Sequence, residues 1–131
     1  MYIVDTNTLI YFFKGLGNVS DRFLAVSPKN MAIPTVVLHE LEYGIAKSTS
    51  PDKRRVQLKT LCAVVEILPF DAEAARLSAS IRVNLEKKGT PIGAYDVLIA
   101  GTALAYQGIL VTNNTKEFVR IPSLKLENWY K

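Results

Sequence analysis

The chain has few of the residues on which several kinds of catalytic and metal site depend. Cys62 is its only cysteine and His39 its only histidine. An internal disulfide is therefore excluded, and a zinc site would lack its usual nitrogen and sulfur ligands. A Ser-His-Asp or Cys-His enzyme would have to be built on the one histidine, and no partner is suggested near it. A single cysteine suits a reducing compartment, so we expect a cytoplasmic protein.

Long apolar runs are also missing. No stretch approaches the roughly 20 apolar residues that a membrane helix needs. Asp5 interrupts the first apolar run, and no basic segment or small-residue cleavage site accompanies it, so we expect no signal peptide. The length of 131 residues predicts one domain, 1–131, and a hydrophobic content of 49% predicts an ordinary globular core. The net charge of +4 weakly favours polyanionic partners such as RNA or DNA.

Apolar strand-like runs alternate with helical patterns along the whole chain. Such alternation predicts an α/β fold with a mostly parallel sheet covered on both faces. The helix starting at Pro51 is expected to turn Val56, Leu58, Leu61 and Val64 inward. Asp71 is expected to cap a long helix that ends at Lys87-Lys88-Gly89, and residues 95–106 are expected to form a helix buried nearly all round. The predicted strands are 1–4, 31–34, 65–69 and 109–112, with a further edge strand at 124–126.

Three carboxylates lie among apolar residues. Asp5 ends the first strand, Glu40 lies on the helix after the second, and Asp96 opens the buried helix. Charges in such settings need pairing or a metal, and carboxylate oxygens favour Mg²⁺ or Mn²⁺. Each has a simpler interpretation: Asp5 could cap a turn, and Asp96 could favour a helix N-terminus. Spacing alone hardly separates Glu40 from Glu42.

The chain resembles PIN-domain ribonucleases of the VapC toxin type, from type II toxin–antitoxin systems. The resemblance rests on segments that follow one another in family order and cover nearly the whole chain: Val4-Asp5-Thr6-Asn7, 37–44, 89–101, 110–118 and Leu126-Glu127-Asn128-Trp129. It implies a single PIN domain, a three-layer α/β/α arrangement around four or five mostly parallel strands. It also implies an endoribonuclease that depends on Mg²⁺, with Mn²⁺ able to substitute.

The resemblance also implies roles for particular residues. Asp5, Glu40 and Asp96 would form an acidic pocket, in which Asp5 and Asp96 hold the metal. Glu40 is selected over Glu42 because it stands four residues before Gly44, as the family's glutamate does. Glu40 would help activate the attacking water. A fourth pocket position, often Asp in the family, falls on Asn114 or else Asn113, where an amide can orient water or phosphate but cannot act as a base.

The partners follow from the same resemblance, and the supporting residues follow from the mechanism expected for the pocket. The substrate would be a structured RNA such as a tRNA, and a VapB-type antitoxin would cover the pocket, with the complex able to bind DNA. Thr6 and Asn7 are expected to hold Asp5 in place. The candidates for guiding the RNA backbone are Lys53, Arg54 and Arg55. The candidates for a homodimer interface are Leu9, Ile10, Phe12 and Phe13.

Three other functions remain open at this stage. A phosphohydrolase of the haloacid-dehalogenase type also has Asp at the end of strand one, but it needs a second Asp where this chain has Asn7. A receiver domain would need an acceptor Asp after the third strand, where Asp71 is expected only to cap a helix. A catalytically weak PIN-type RNA-binding module is the more serious rival, because Asn114 stands where a carboxylate is common.

Overall fold

The computed structural model describes residues 1–131 and contains one five-stranded sheet in which every neighbouring pair is parallel. The strands lie in the order β3-β2-β1-β4-β5. Their bounds are β1 Tyr2–Val4, β2 Met31–Pro34, β3 Glu66–Leu68, β4 Ile109–Val111 and β5 Lys125–Glu127. The predicted α/β class and edge strand are confirmed.

Seven helices and one short 3-10 turn, Pro28–Asn30, connect the strands. The helices are α1 Thr6–Lys14, α2 Val19–Leu24, α3 Thr35–Ala46, α4 Pro51–Cys62, α5 Ala72–Lys87, α6 Ala94–Ala105 and α7 Thr115–Phe118. The carboxylate of Asp71 caps α5 by accepting a hydrogen bond from the backbone N–H of Ala74 at 2.9 Å. Gly89, with φ of +70°, follows the end of that helix in the left-handed conformation that glycine adopts most easily.

Between β1 and β4 the order in which strands are added to the sheet reverses, although the two strands are parallel; this place is here called the reversal point. Strands β2 and β3 lie on one side of β1, and β4 and β5 lie on the other side. Right-handed crossovers then put the helices of the two halves on opposite faces, which produces three layers. Val4 pairs with Val111, so Asp5 and Thr112 follow side by side at the carboxyl edge. In open α/β sheets this reversal point is where ligands bind.

Helix α6 is buried because α5 packs tightly against it. Gly101 makes this possible, since a Cβ at that position would lie 2.9 Å from the carbonyl oxygen of Ala74 and would collide with the hydroxyl of Ser78. The sequence prediction of a helix buried nearly all round is confirmed for Val97, Ile99, Ala100 and Ala103. The close approach fixes α6, whose first turn contains Asp96, against α5.

Helix α4 differs from the expected burial. Leu58 and Leu61 are buried as predicted, but Val56 is 64% and Val64 57% exposed, so their inward placement was wrong. The helix packs on α3 along one narrow face, and its outer face has no cover. The exposed valines border a groove of about 570 Å³, here called the apolar groove, whose apolar lining includes Phe12, Phe13, Phe23, Leu24, Val26, Val56, Leu61 and Val64.

The four proposed homodimer residues of α1 separate into two groups. Leu9 has no exposed surface and belongs to the core, so it cannot contribute to an interface. Ile10, Phe12 and Phe13 are half-buried and pack against the core from outside. None of the helices combines the length and the apolar character needed to cross a membrane.

Candidate active site

Asp5 lies at the reversal point and is only 5% exposed. It is the N-cap of α1, and its Oδ1 accepts a hydrogen bond from the backbone N–H of Thr8 at 2.9 Å. Burial raises the pKa of Asp5, and the negative charge of Glu40 adds to the rise, whereas hydrogen bonds from Thr112 and Thr8 oppose it. Asp5 is therefore both a helix cap and a buried acid with a charged neighbour.

Glu40 reaches the same region from α3. Its Oε1 accepts a hydrogen bond from the hydroxyl of Thr6 at 2.7 Å, which ties α3 to the start of α1. This corrects the expectation that Thr6 and Asn7 hold Asp5: Thr6 holds Glu40 instead, and Asn7 is exposed. The reason is that Thr6 follows the N-cap, so its side chain turns away from the cap carboxylate and toward the neighbouring helix.

Asp96 lies in the first turn of α6. Its pKa is raised from 3.8 to about 6, first by burial and then by the negative charges of Asp5, Glu40 and Glu117. The structure thus brings the three sequence-predicted carboxylates within electrostatic reach of one another, although they come from positions 35 and 56 residues apart. Like charges held together in a partly buried place favour either protonation or a bound cation.

Glu117 is an acidic neighbour that sequence reasoning missed. It lies in the first turn of α7, and its Oε2 accepts a hydrogen bond from the amide Nδ2 of Asn114 at 2.9 Å. Asn113 is engaged elsewhere, since its Oδ1 accepts a hydrogen bond from Asn128. Between the two asparagines, Asn114 is the one connected to the acidic cluster. The spacing Asn-x-x-Glu, which puts both side chains on one face of a helical turn, was the available signal.

The donor set suits a hard divalent cation. All four acidic side chains offer carboxylate oxygens. Burial, and then the negative charge of neighbouring carboxylates, raises the pKa of Asp5 and Asp96, and a bound cation would offset that repulsion. No three of the chain's acidic, histidine or cysteine side chains converge into a closed ligand cage. Mg²⁺ does not require one, since it usually keeps several waters and uses one or two carboxylates together with substrate phosphates. Asp5 and Asp96 as its ligands remain a prediction.

Basic side chains border the cluster. Lys14 and Arg54 line a groove of about 350 Å³ that also contains Glu40. Arg55 is paired with Glu42 at 3.0 Å, and both of these side chains are more than half exposed. Of the predicted RNA-guiding residues, Arg54 is therefore the one that shares a groove with Glu40. Lys53 is exposed.

Comparisons with known proteins agree with this architecture. Residues 2–124 match the family model described as the PIN domain. The chain is 40% identical to ribonuclease VapC2 of Rickettsia felis over 100% of this chain and 99% of that protein. It is 37% identical to the tRNA(fMet)-specific endonuclease VapC of Salmonella typhimurium, over 98% of this chain and 97% of that one.

Solved structures show the same likeness in three dimensions. VapBC2 from Rickettsia felis, bound to a DNA fragment from its promoter, matches with a TM-score of 0.90 at 38% identity, covering 98% of each chain. DNA-bound VapBC from Salmonella typhimurium also matches with a TM-score of 0.90, at 37% identity, covering 98% of this chain and 97% of that one.

Proposed function

Because the chain belongs to the PIN domain family, of the VapC toxin type, we propose that it is a Mg²⁺-dependent endoribonuclease and the toxin of a type II toxin–antitoxin system. The observation that carries the proposal is the cluster of Asp5, Glu40 and Asp96 at the reversal point of the sheet. Its relatives named as ribonucleases support a nuclease, and the donor set supports Mg²⁺, with Mn²⁺ as a substitute.

Each carboxylate has a separate task in this proposal. Asp5, held by the N–H of Thr8, and Asp96, held by the first turn of α6, would bind the metal. Bound Mg²⁺ would polarise the scissile phosphodiester and lower the pKa of water beside it. Glu40, oriented by the hydroxyl of Thr6, would accept a proton from the attacking water. In-line attack would leave a 5′-phosphate and a 3′-hydroxyl, which end-group analysis of the products tests.

Asn114 and Glu117 would complete the pocket together. Asn114 cannot supply the carboxylate that is common at the fourth position, but its amide holds Glu117 at 2.9 Å, and the charge of Glu117 reaches Asp96. The negative charge expected of the fourth position therefore comes from a residue three places later. This argues against the catalytically weak RNA-binding module, which Asn114 alone had favoured.

A tRNA is the substrate to test first. The relative from Salmonella typhimurium that aligns over nearly the whole chain is named as specific for tRNA(fMet). The cations of Lys14 and Arg54 beside Glu40 would contact RNA phosphates, which gives affinity without sequence choice.

The partner would be a VapB-type antitoxin, and the complex would bind promoter DNA. Two solved relatives are such complexes with DNA. We assign the apolar groove to the antitoxin, because an amphipathic helix that lies in such a groove would cover Val56 and Val64. A homodimer through Ile10, Phe12 and Phe13 would compete for part of this surface.

An RNA-cleavage assay tests the central proposal. The wild-type chain should cut initiator tRNA in Mg²⁺ or Mn²⁺, and EDTA should abolish the cut. Asp5→Asn and Asp96→Asn should each lower the cleavage rate by at least about a hundredfold, since either change removes the negative charge of a metal-binding carboxylate. Asp71→Asn, at a helix cap away from the site, is the control and should cut normally. Cleavage that survives EDTA would contradict the proposal.

A further inference from the structure

Two aromatic residues come directly before two carboxylates of the acidic cluster, on different helices. His39 precedes Glu40 on α3, and Tyr95 precedes Asp96 on α6. Their rings are tilted by 41° with centroids 5.6 Å apart, and the Tyr95 hydroxyl lies 3.5 Å from Nε2 of His39. The pair thus spans the gap between the two helices that carry these carboxylates.

The pair contributes little to the core. Tyr95 is 48% exposed, and His39 is exposed as well. A contact of 3.5 Å is at the long end of hydrogen bonding, so it adds little stability at the surface. A tyrosine and a histidine held next to each other in solvent offer ring surface to a ligand rather than to the protein interior.

A groove that contains two cations and one acid begins at His39. His39 lines a groove of about 550 Å³ between α3 and α4, together with Arg55 and Lys59. Arg55 forms an ion pair with Glu42, whereas Lys59 is in no ion pair. Positive groups that follow an aromatic pair are the combination by which proteins bind single-stranded nucleic acid: bases stack on the rings and phosphates follow the cations.

We propose that Tyr95, supported by His39, is a stacking platform for one of the two nucleobases that flank the scissile phosphate, with the strand continuing toward Arg55 and Lys59. The inference rests on the proposed endoribonuclease function. Its physical basis is that the same two helices carry both pairs, one residue apart: the Tyr95 hydroxyl lies 3.5 Å from Nε2 of His39, and the charge of Glu40 reaches Asp96. The rings and the carboxylates therefore lie at one crossing of α3 and α6, so a nucleotide whose phosphate lies at the carboxylates can extend its base to the rings. A base can reach them only if it is unpaired, so the cut would fall in a loop.

The test combines protein variants with altered RNA. The probe is initiator tRNA, first as a normal transcript to map the cut and then with an abasic nucleotide on either side of the mapped phosphate. Tyr95→Ala should lower kcat/KM on normal RNA by about tenfold, mainly through KM, because stacking contributes to binding. Removing the stacked base should lower kcat/KM of the wild-type enzyme by a similar factor. For Tyr95→Ala, kcat/KM on that abasic RNA should equal its value on normal RNA.

Three controls separate stacking from other roles. Tyr95→Phe should retain activity because it keeps the ring, and His39→Ala should give a smaller loss than Tyr95→Ala. Tyr43→Ala, also exposed on α3 but with its ring covered by Lys47, should cut normally. The melting temperature of Tyr95→Ala should match that of the wild type, since the side chain is half exposed.

The outcomes are distinguishable. Wild-type cleavage together with full activity of Tyr95→Ala would overturn the platform and leave the endoribonuclease proposal standing. If Tyr95→Ala is slower than the wild type by the same factor on abasic RNA as on normal RNA, the platform is also overturned, because the ring and the base would then act independently. If Tyr95→Phe is as impaired as Tyr95→Ala, the hydroxyl contact matters and stacking does not. A wild-type chain that cuts no RNA in Mg²⁺ would overturn both proposals.

Discussion

Glu40 and Glu42 stand two positions apart on α3 in different surroundings. Glu40 is partly buried, hydrogen-bonded to Thr6 and close enough to Asp5 and Asp96 to raise the pKa of both. Glu42 is more than half exposed and paired with Arg55. Helical geometry explains the difference, since two residues along a helix point to different sides. Only Glu40 is placed to serve the acidic pocket.

A matched pair of substitutions tests this assignment. Glu40→Gln should lower the cleavage rate by about a hundredfold or more, because an amide cannot accept the proton of the attacking water. Glu42→Gln should leave cleavage unchanged, apart from a weakened surface ion pair that contributes little. Rates on initiator tRNA at saturating Mg²⁺ would show the difference. Equal activity of the two variants would remove Glu40 from the mechanism.

The raised pKa of Asp96 predicts how stability depends on pH in the metal-free protein. An ordinary Asp titrates near 3.8 and folded Asp96 near 6, so between these values the folded state binds more protons than the unfolded one. The free energy of unfolding should therefore fall as pH rises from about 4 to 7. Asp96→Asn should flatten this slope and stabilise the protein at pH 7 by on the order of 1 kcal/mol, after discounting for solvent screening.

Urea unfolding in EDTA at several pH values measures this effect. Burial and Glu40 also raise the pKa of Asp5, so Asp96→Asn should reduce the slope without removing it. Glu42→Gln, an exposed acid on the neighbouring helix, should leave the slope as it is. An Asp96→Asn protein with the wild-type slope would show that folding does not raise the pKa of Asp96.

At the scale of elements, the packing of α5 on α6 determines where Asp96 lies. Gly101 gives α6 room to approach α5, and its lack of a Cβ is required at this one crossing. Gly44 on α3 has the opposite surroundings, with nothing within 4 Å of a Cβ placed there. The two helical glycines therefore serve different purposes, although the sequence marks them alike.

Replacing each glycine by alanine should change stability in opposite directions. Gly101→Ala should destabilise the protein by roughly 1–3 kcal/mol, because a Cβ would overpack the backbone of Ala74 and the side chain of Ser78. Gly44→Ala should stabilise it by about 0.5–1 kcal/mol, through helix propensity alone. Chemical denaturation of both variants provides the comparison. A stabilising Gly101→Ala would mean that the two helices can separate without cost.

At the scale of the molecule, the surface contains two regions of contrasting character. The carboxyl edge of the sheet carries the acidic pocket with cations around it. The outer face of α4, with α1 and α2, carries the apolar groove. The first region suits a metal ion and a phosphate, and the second suits an apolar protein segment. Catalysis and the anchoring of the antitoxin would then depend on different side chains of one small domain.

Charge placed in the apolar groove tests that separation. Val64→Asp should weaken binding of the cognate VapB-type antitoxin by at least about tenfold, because a carboxylate would be buried without a partner. Cleavage of RNA by the free toxin should be unaffected. Val119→Asp, at a valine that is 69% exposed and outside the groove, is the control and should bind normally. If the two variants bind the antitoxin equally well in a binding titration, the antitoxin lies elsewhere on the surface.

The sequence by itself determined the alternation of strands and helices, the Asp71 cap, the burial of α6 and the candidates Asp5 and Asp96. These depend on short-range periodicity and on charges in apolar runs, which are visible along the chain. Family resemblance selected Glu40 over Glu42. Only the tertiary structure decided that Thr6 binds Glu40, that Glu117 joins the cluster and that Val56 and Val64 are exposed. The physical reason is that each of these depends on which element packs against which, across 34 residues of chain for Thr6 and Glu40.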